Sequence, residues 1–143
     1  MDDNYIKSLS YDEKIIFFKI FCKLIQADGS ICSEEIEFLK KVGTRYGIDT
    51  DTIVSIIKQS KDVNHIQEAQ NIKNRQHSLQ LIKEMCVLAN IDQDLHDNEL
   101  DIIIDVAHAM DVEDDKVILI NRFVLDSLIL SKTGQIIMEQ DNE

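Results

Sequence analysis

Asp28 and Glu35 are seven residues apart in the stretch Ala27-Asp28-Gly29-Ser30-Ile31-Cys32-Ser33-Glu34-Glu35, and Asp92 and Glu99 repeat that spacing with Leu95 in the place of Ile31. The displacement between the copies is 64 residues, and at the same displacement Lys19/Lys83, Cys22/Cys86, Leu24/Leu88 and Val42/Val106 are also identical. Such self-similarity points to one structural unit used twice. The first chemistry to weigh is calcium, because Asp28-Gly29-x-Ile31-x-x-x-Glu35 copies the second half of an EF-hand loop. The first half does not follow. Counting back, its ligand positions hold Leu24 and Gln26 in one copy and Leu88 and Asn90 in the other.

Three other readings remain. In the first, Ile31 and Leu95 are apolar anchors between helices, and Ser33, Asp97, Glu35 and Glu99 are helix-start residues, where the helix dipole favours carboxylates. Asp28 and Asp92 fit this less well, since each falls at a helix C-terminal end, where a carboxylate costs about 0.3–1 kcal/mol. In the second, Asp28, Glu35, Asp92 and Glu99 converge through internal two-fold packing and hold a cation. Clustered carboxylates repel one another until a positive charge neutralises them. An all-oxygen set suits Ca²⁺ or Mg²⁺, and His96 would extend the choice to Zn²⁺ or Mn²⁺. The third starts from His96-Asp97, since metal-dependent phosphohydrolases of the HD class use a His, a His-Asp pair and a later Asp; His65 or His77 would then be the upstream partner. Asp101, Asp105 and His108 share a further helix face, which reads as the wet side opposite an apolar stripe.

The elements that must position these residues are helical. The chain has 143 residues, no Pro and four Gly, with 44% hydrophobic residues. That length is one domain's worth. Few residues interrupt helices, and an all-α fold is expected. Ser10 and Glu13 form a capping box ahead of Ile16, Phe17, Ile20, Phe21 and Leu24, with Phe18, Cys22 and Ile25 widening the stripe to that of a central, buried helix. A second helix runs from a cap at Ser33 to about Tyr46, and Gly47 ends it. A third, capped by Asp49 or Thr50, carries Ile53, Val54, Ile56 and Ile57. A weak helix over His65 to Ile72 connects the copies. Asn74 caps the counterpart of the first helix, Asp97 caps the next, and a last helix covers roughly Glu113 to Ser131. Repeat one is thus about 10–60, the connector 61–73, repeat two 74–131, and 132–143 a frayed tail, of which Ile136, Ile137 and Met138 are expected to pack back. Tyr5, Ile6 and Leu9 dock the polar lead-in.

Charge narrows the partners. The formal net charge is −12, and Asp92 to Asp115 holds ten carboxylates with no Lys or Arg. Such a surface opposes nucleic-acid phosphates and anionic membranes and favours cations or basic proteins. No apolar run is long enough to span a bilayer, so direct membrane insertion is not expected. Three cysteines without a CxxC pattern, and an N-terminus Met1-Asp2-Asp3-Asn4 unlike a signal peptide, make a reduced, cytoplasmic setting the expectation. No Gly-rich phosphate loop, Ser/His/Asp grouping or activated Cys setting is visible, so no enzyme is expected.

The pattern Leu24-x-x-Ala27-Asp28-Gly29-x-Ile31-x-x-x-Glu35, the helix end Tyr46-Gly47-Ile48, and the repeat Asp92-x-x-Leu95-x-x-x-Glu99 resemble the TerB tellurite-resistance family over roughly residues 10 to 131. A similar domain precedes the J-domain in DjlA-type membrane co-chaperones. The resemblance implies about seven helices with internal two-fold similarity and an acidic surface that binds divalent metal. It also implies a role in stress response and protein partners in membrane-associated complexes. By this resemblance Asp28, Glu35, Asp92 and Glu99 inherit the metal role. Gln93 departs from the second Asp-Gly, which affects the geometry of that turn. These residues include no J-domain, so the co-chaperone role is not expected to transfer.

Overall fold

Ser10 stops the chain in an extended conformation, and its hydroxyl accepts the Glu13 N–H at 3.1 Å while the Ser10 N–H donates to Glu13 Oε1 at 3.0 Å. That reciprocal cap starts the helix around which the rest is built. The computed structural model describes residues 4–91 and 97–140, with the backbone alone at Asp28 and Gln140. Every regular element among the described residues is helical: α1 (Tyr5–Ser8), α2 (Tyr11–Ile25), α3 (Ser33–Arg45), α4 (Thr50–Lys58), α5 (His65–Ala69), α6 (Arg75–Ala89), α7 (Asp97–Ala109) and α8 (Asp114–Gln140), with 3-10 turns at Gln26–Asp28 and Ser60–Asp62. The count exceeds seven because the lead-in forms its own turn, α1. Ile6 and Leu9 bury there as expected, and the Tyr5 and Tyr46 phenols share a 2.6 Å hydrogen bond.

The 64-residue displacement governs the helices themselves. The first and last residues of α2 and α6 correspond at that offset, as do those of α3 and α7 and the starts of α4 and α8. Caps correspond too, since Asn74 accepts the His77 N–H at 3.1 Å where Ser10 accepts that of Glu13. Helices α3 and α7 end alike, with Ile48 N–H donating to the Gly43 carbonyl at 3.0 Å and Val112 N–H to that of Ala107 at 2.8 Å. This closure needs a left-handed residue between, and Gly47 (φ 78°) and Asp111 (φ 59°) supply it. Core positions match as pairs: Phe17/Leu81, Phe21/Met85, Cys22/Cys86, Leu39/Ile103, Val42/Val106 and Ile53/Val117 are buried in both copies and join one apolar cluster. α2 packs on α3, α4, α5, α6 and α7, the central position its wide stripe demands.

The two copies solve one packing problem differently. A Cβ on Gly43 would meet the Ile53 Cγ1 and Cδ1 atoms at 2.7 Å and Phe18 Cε1 at 3.3 Å. At the equivalent positions repeat two has Ala107 against Val117, one methyl more on one side and one methylene less on the other. Gly43→Ala is therefore expected to lower stability by about 1–2 kcal/mol, overpacking outweighing the better helix propensity of Ala. Adding Ile53→Val should recover part of that loss, because it removes Cδ1 while keeping a Cγ1. Urea unfolding of the two single variants and the double variant checks it, and additive losses would remove the argument.

Two sequence expectations are corrected. The N-cap of α3 is Cys32, one residue before Ser33. Helix α8 runs on through Gly134 to Gln140, where the apolar pattern weakens, and Ile136, Ile137 and Met138 do not pack back but are 55%, 54% and 65% exposed. Among the described residues they do not join the apolar cluster. The wet face of α7 is as expected, with Asp101 and His108 exposed and Asp105 half-buried; on it Asp105 Oδ2 is 3.1 Å from His65 Nε2, and Asp114 Oδ1 lies 2.5 Å from His108 Nε2.

Candidate cation site at the paired acidic turns

Helix α2 ends where Gln26 takes over as cap, and the chain tightens into the Gln26–Asp28 turn. Gly29 follows in the left-handed region at φ 111°, its N–H donating to the Gln26 carbonyl at 2.9 Å. The Asp-Gly dipeptide thus does what the sequence requires of it. Leu24, which would be the first ligand of an EF-hand loop, is fully buried in the helix stripe. The loop cannot be an EF-hand.

Glu35 is the third residue of α3, half-buried, and its Oε1 accepts the Cys32 N–H at 2.9 Å. The carboxylate therefore satisfies one of the free donors at the helix start, the dipole-favoured place for it. Glu99 is half-buried at the corresponding position of α7 and is also engaged. Asp92 and His96 lie outside the described residues, as does the Asp28 side chain. Asp97 is the first residue of α7, so the cap position falls on 96, also outside.

The fold brings the start of α7 against the first turn. Helix α7 packs on the Gln26–Asp28 turn, and the Asn98 side-chain amide donates to the Ala27 carbonyl at 3.4 Å. The first turn of α7, with Asp97 and Glu99, is thereby held beside the backbone of Asp28. Among the described residues no three His, Cys, Asp or Glu side chains are grouped to hold a metal. The Asp28 side chain, Asp92, Asp94 and His96 are outside that set.

The other histidines are committed elsewhere. His77 Nδ1–H donates to Glu13 Oε2 at 2.7 Å, and these two residues are one another's counterparts at the 64-residue offset. They meet where α2 and α6 pack together, near the internal two-fold relation. Burial opposes a charge on Glu13, but the Ser10 N–H, the His77 hydrogen bond and the His77 charge outweigh it and hold the carboxyl below its ordinary range. His65 is bound to Asp105 and has its Nδ1 buried without a partner. His65 and His77 thus serve two separate carboxylates on different helix pairs.

Two amide links close the turns from within. Ser60, itself buried, donates to Gln26 Oε1, and Asn90, the counterpart of Gln26, donates to Asn121 Oδ1 at 2.8 Å. Neither was legible in the sequence, because each depends on a residue more than 30 positions away.

Residues 20–122 match the family described as Tellurite resistance protein TerB, a span that contains both acidic turns. No curated protein and no solved structure matches the chain.

Proposed function

The chain belongs to the TerB tellurite-resistance family, and from that premise we propose that it is a non-enzymatic stress-response and interaction module whose paired acidic turns bind a divalent cation through Asp28, Glu35, Asp92 and Glu99. The observation that carries the proposal is the seating of the first turn of α7 on the Gln26–Asp28 turn. It supports bringing acidic residues of both copies to one place, and such a group needs a positive charge to offset its repulsion. The oxygen-only donors favour Ca²⁺ or Mg²⁺. Glu35 has one oxygen on the Cys32 N–H, so it would offer the other. A cytoplasmic setting and docking to a protein partner, in a membrane-associated complex, belong to the same proposal. All three cysteines are free, and among the described residues no helix is long and apolar enough to cross a membrane.

Calorimetric titration with Ca²⁺, Mg²⁺, Mn²⁺ and Zn²⁺ tests the proposal. At a cation concentration 100 times Kd, the wild type should gain about 2.7 kcal/mol of stability. The Asp28→Ala/Asp92→Ala variant should show neither heat nor gain. Silence from the wild type with all four ions, with no change in melting temperature, sinks the cation; equal binding by the variant places it elsewhere.

A further inference from the structure

The two repeats diverge on one face. Helix α4 stops at Lys58 and the chain turns inward at Ser60–Asp62, whereas its counterpart α8 continues to Gln140. The continuation leaves an open groove of about 650 Å³ between α7 and α8, lined by Leu100, Ile104, Val117, Ile118, Leu125 and Ile129. At the 64-residue offset, Ile104 and Leu125 replace Lys40 and Lys61. Leu100, Val117 and Ile118 keep the apolar character of Ile36, Ile53 and Val54, so the two lysine replacements widen an apolar stripe that repeat one has only in part. Ile118 and Ile129 are 61% and 56% exposed. An apolar groove of this kind on a highly charged chain marks a docking site.

Charge selects the occupant. Asp114 and Asp126 stand at the groove with Arg122 as its one basic residue. Across residues 97–129 there are nine carboxylates against Lys116 and Arg122. A second copy, itself at −12, would bring like charge to this rim, and an anionic membrane would be repelled in the same way. A basic amphipathic helix meets both demands, its apolar anchors at i, i+3, i+4 and i+7 entering between the helices and its Lys or Arg residues facing the carboxylates. We propose that the α7/α8 groove docks a basic amphipathic helix of a partner protein. This rests on the interaction half of the proposed function and not on the cation.

The probe is a labelled 18-residue peptide of Leu and Lys at helical spacing, read by fluorescence anisotropy on the full chain, with the matching Leu/Glu peptide as control. The Leu/Lys peptide should bind and weaken as salt rises, and the Leu/Glu peptide should not bind. Ile118→Asp should cost at least tenfold in affinity although it adds a negative charge, and Ile129→Asp should do the same; both side chains are exposed, and far-UV circular dichroism verifies the fold. Binding retained by both variants would show simple charge attraction and overturn the groove. So would no binding of the Leu/Lys peptide, a wild-type dimer in sedimentation that Ile118→Asp dissolves, or tighter association with anionic phosphatidylglycerol vesicles than with the peptide. Repeating the titration in EDTA separates the proposals, because peptide binding should persist there whether or not a cation site exists.

Discussion

Tyr46→Ala is expected to lower the unfolding free energy by about 3–5 kcal/mol. The residue is 2% exposed and is the meeting point of three rings: Phe21 stacks on it at 5.8 Å, while Phe17 and Tyr5 present edge-to-face contacts at 6.4 and 6.3 Å. Each such pair adds about 0.5–1.5 kcal/mol beyond area burial, and truncation leaves a cavity that α2, α3 and α1 cannot all close. A chain of this size is stable by only about 5–15 kcal/mol, so the variant loses a large share of its margin. Tyr46→Phe keeps the ring and removes only the 2.6 Å hydrogen bond to Tyr5, and about 1 kcal/mol is expected. Urea unfolding followed by far-UV circular dichroism measures both. A Tyr46→Ala loss below 1 kcal/mol would mean that the aromatic cluster does not tie the lead-in and α3 to α2.

Alkaline pH should weaken the fold well before the backbone is affected. Burial pushes the Cys22 and Cys86 thiols from the ordinary 9.0 up to about 12, and both side chains are at most 1% exposed. Burial first, and then the neighbouring Tyr5, raises the Tyr46 phenol well above its ordinary range. In the unfolded chain these groups release their protons at ordinary values, so above about pH 9 the unfolded state binds fewer protons and stability falls as pH rises. The thiol contribution is complete below pH 9 and is lost between there and about pH 12. At pH 10 each thiol should remove on the order of 1 kcal/mol relative to neutral pH, and the two together on the order of 2–3 kcal/mol. The Cys22→Ala/Cys86→Ala variant starts less stable but should lose correspondingly less between pH 8 and pH 10. Parallel curves for variant and wild type would show that the thiols ionise without unfolding.

The elements were legible because their signals are local. The Ser10–Glu13 box, the Asn74 cap and the Gly47 stop act over a few residues, and the structure shows all three. Cys32 at the start of α3 was missed because Cys is a poor capping residue by type; there the cap is made by Glu35 reaching back. The Asp111 stop was missed for the opposite reason, since a non-glycine left-handed residue carries no mark of its own. Of the proposed cation site, the sequence showed the four carboxylates and their spacing. It could not show that Glu35 spends an oxygen on a backbone N–H, nor that the first turn of α7 leans on Ala27.

The residue order alone thus determined the helical class, the duplicated unit and the acidic turns, because periodicity, caps and self-similarity are written along the chain. Tertiary structure alone decided which residues meet across the 64-residue offset: Glu13 with His77, and the Gln26–Asp28 turn with α7. It also decided that α8 outruns α4 and leaves an apolar groove open. Such contacts depend on how two copies of one unit pack against each other, and the energy that selects that packing is spread over the whole buried core rather than held in any short motif.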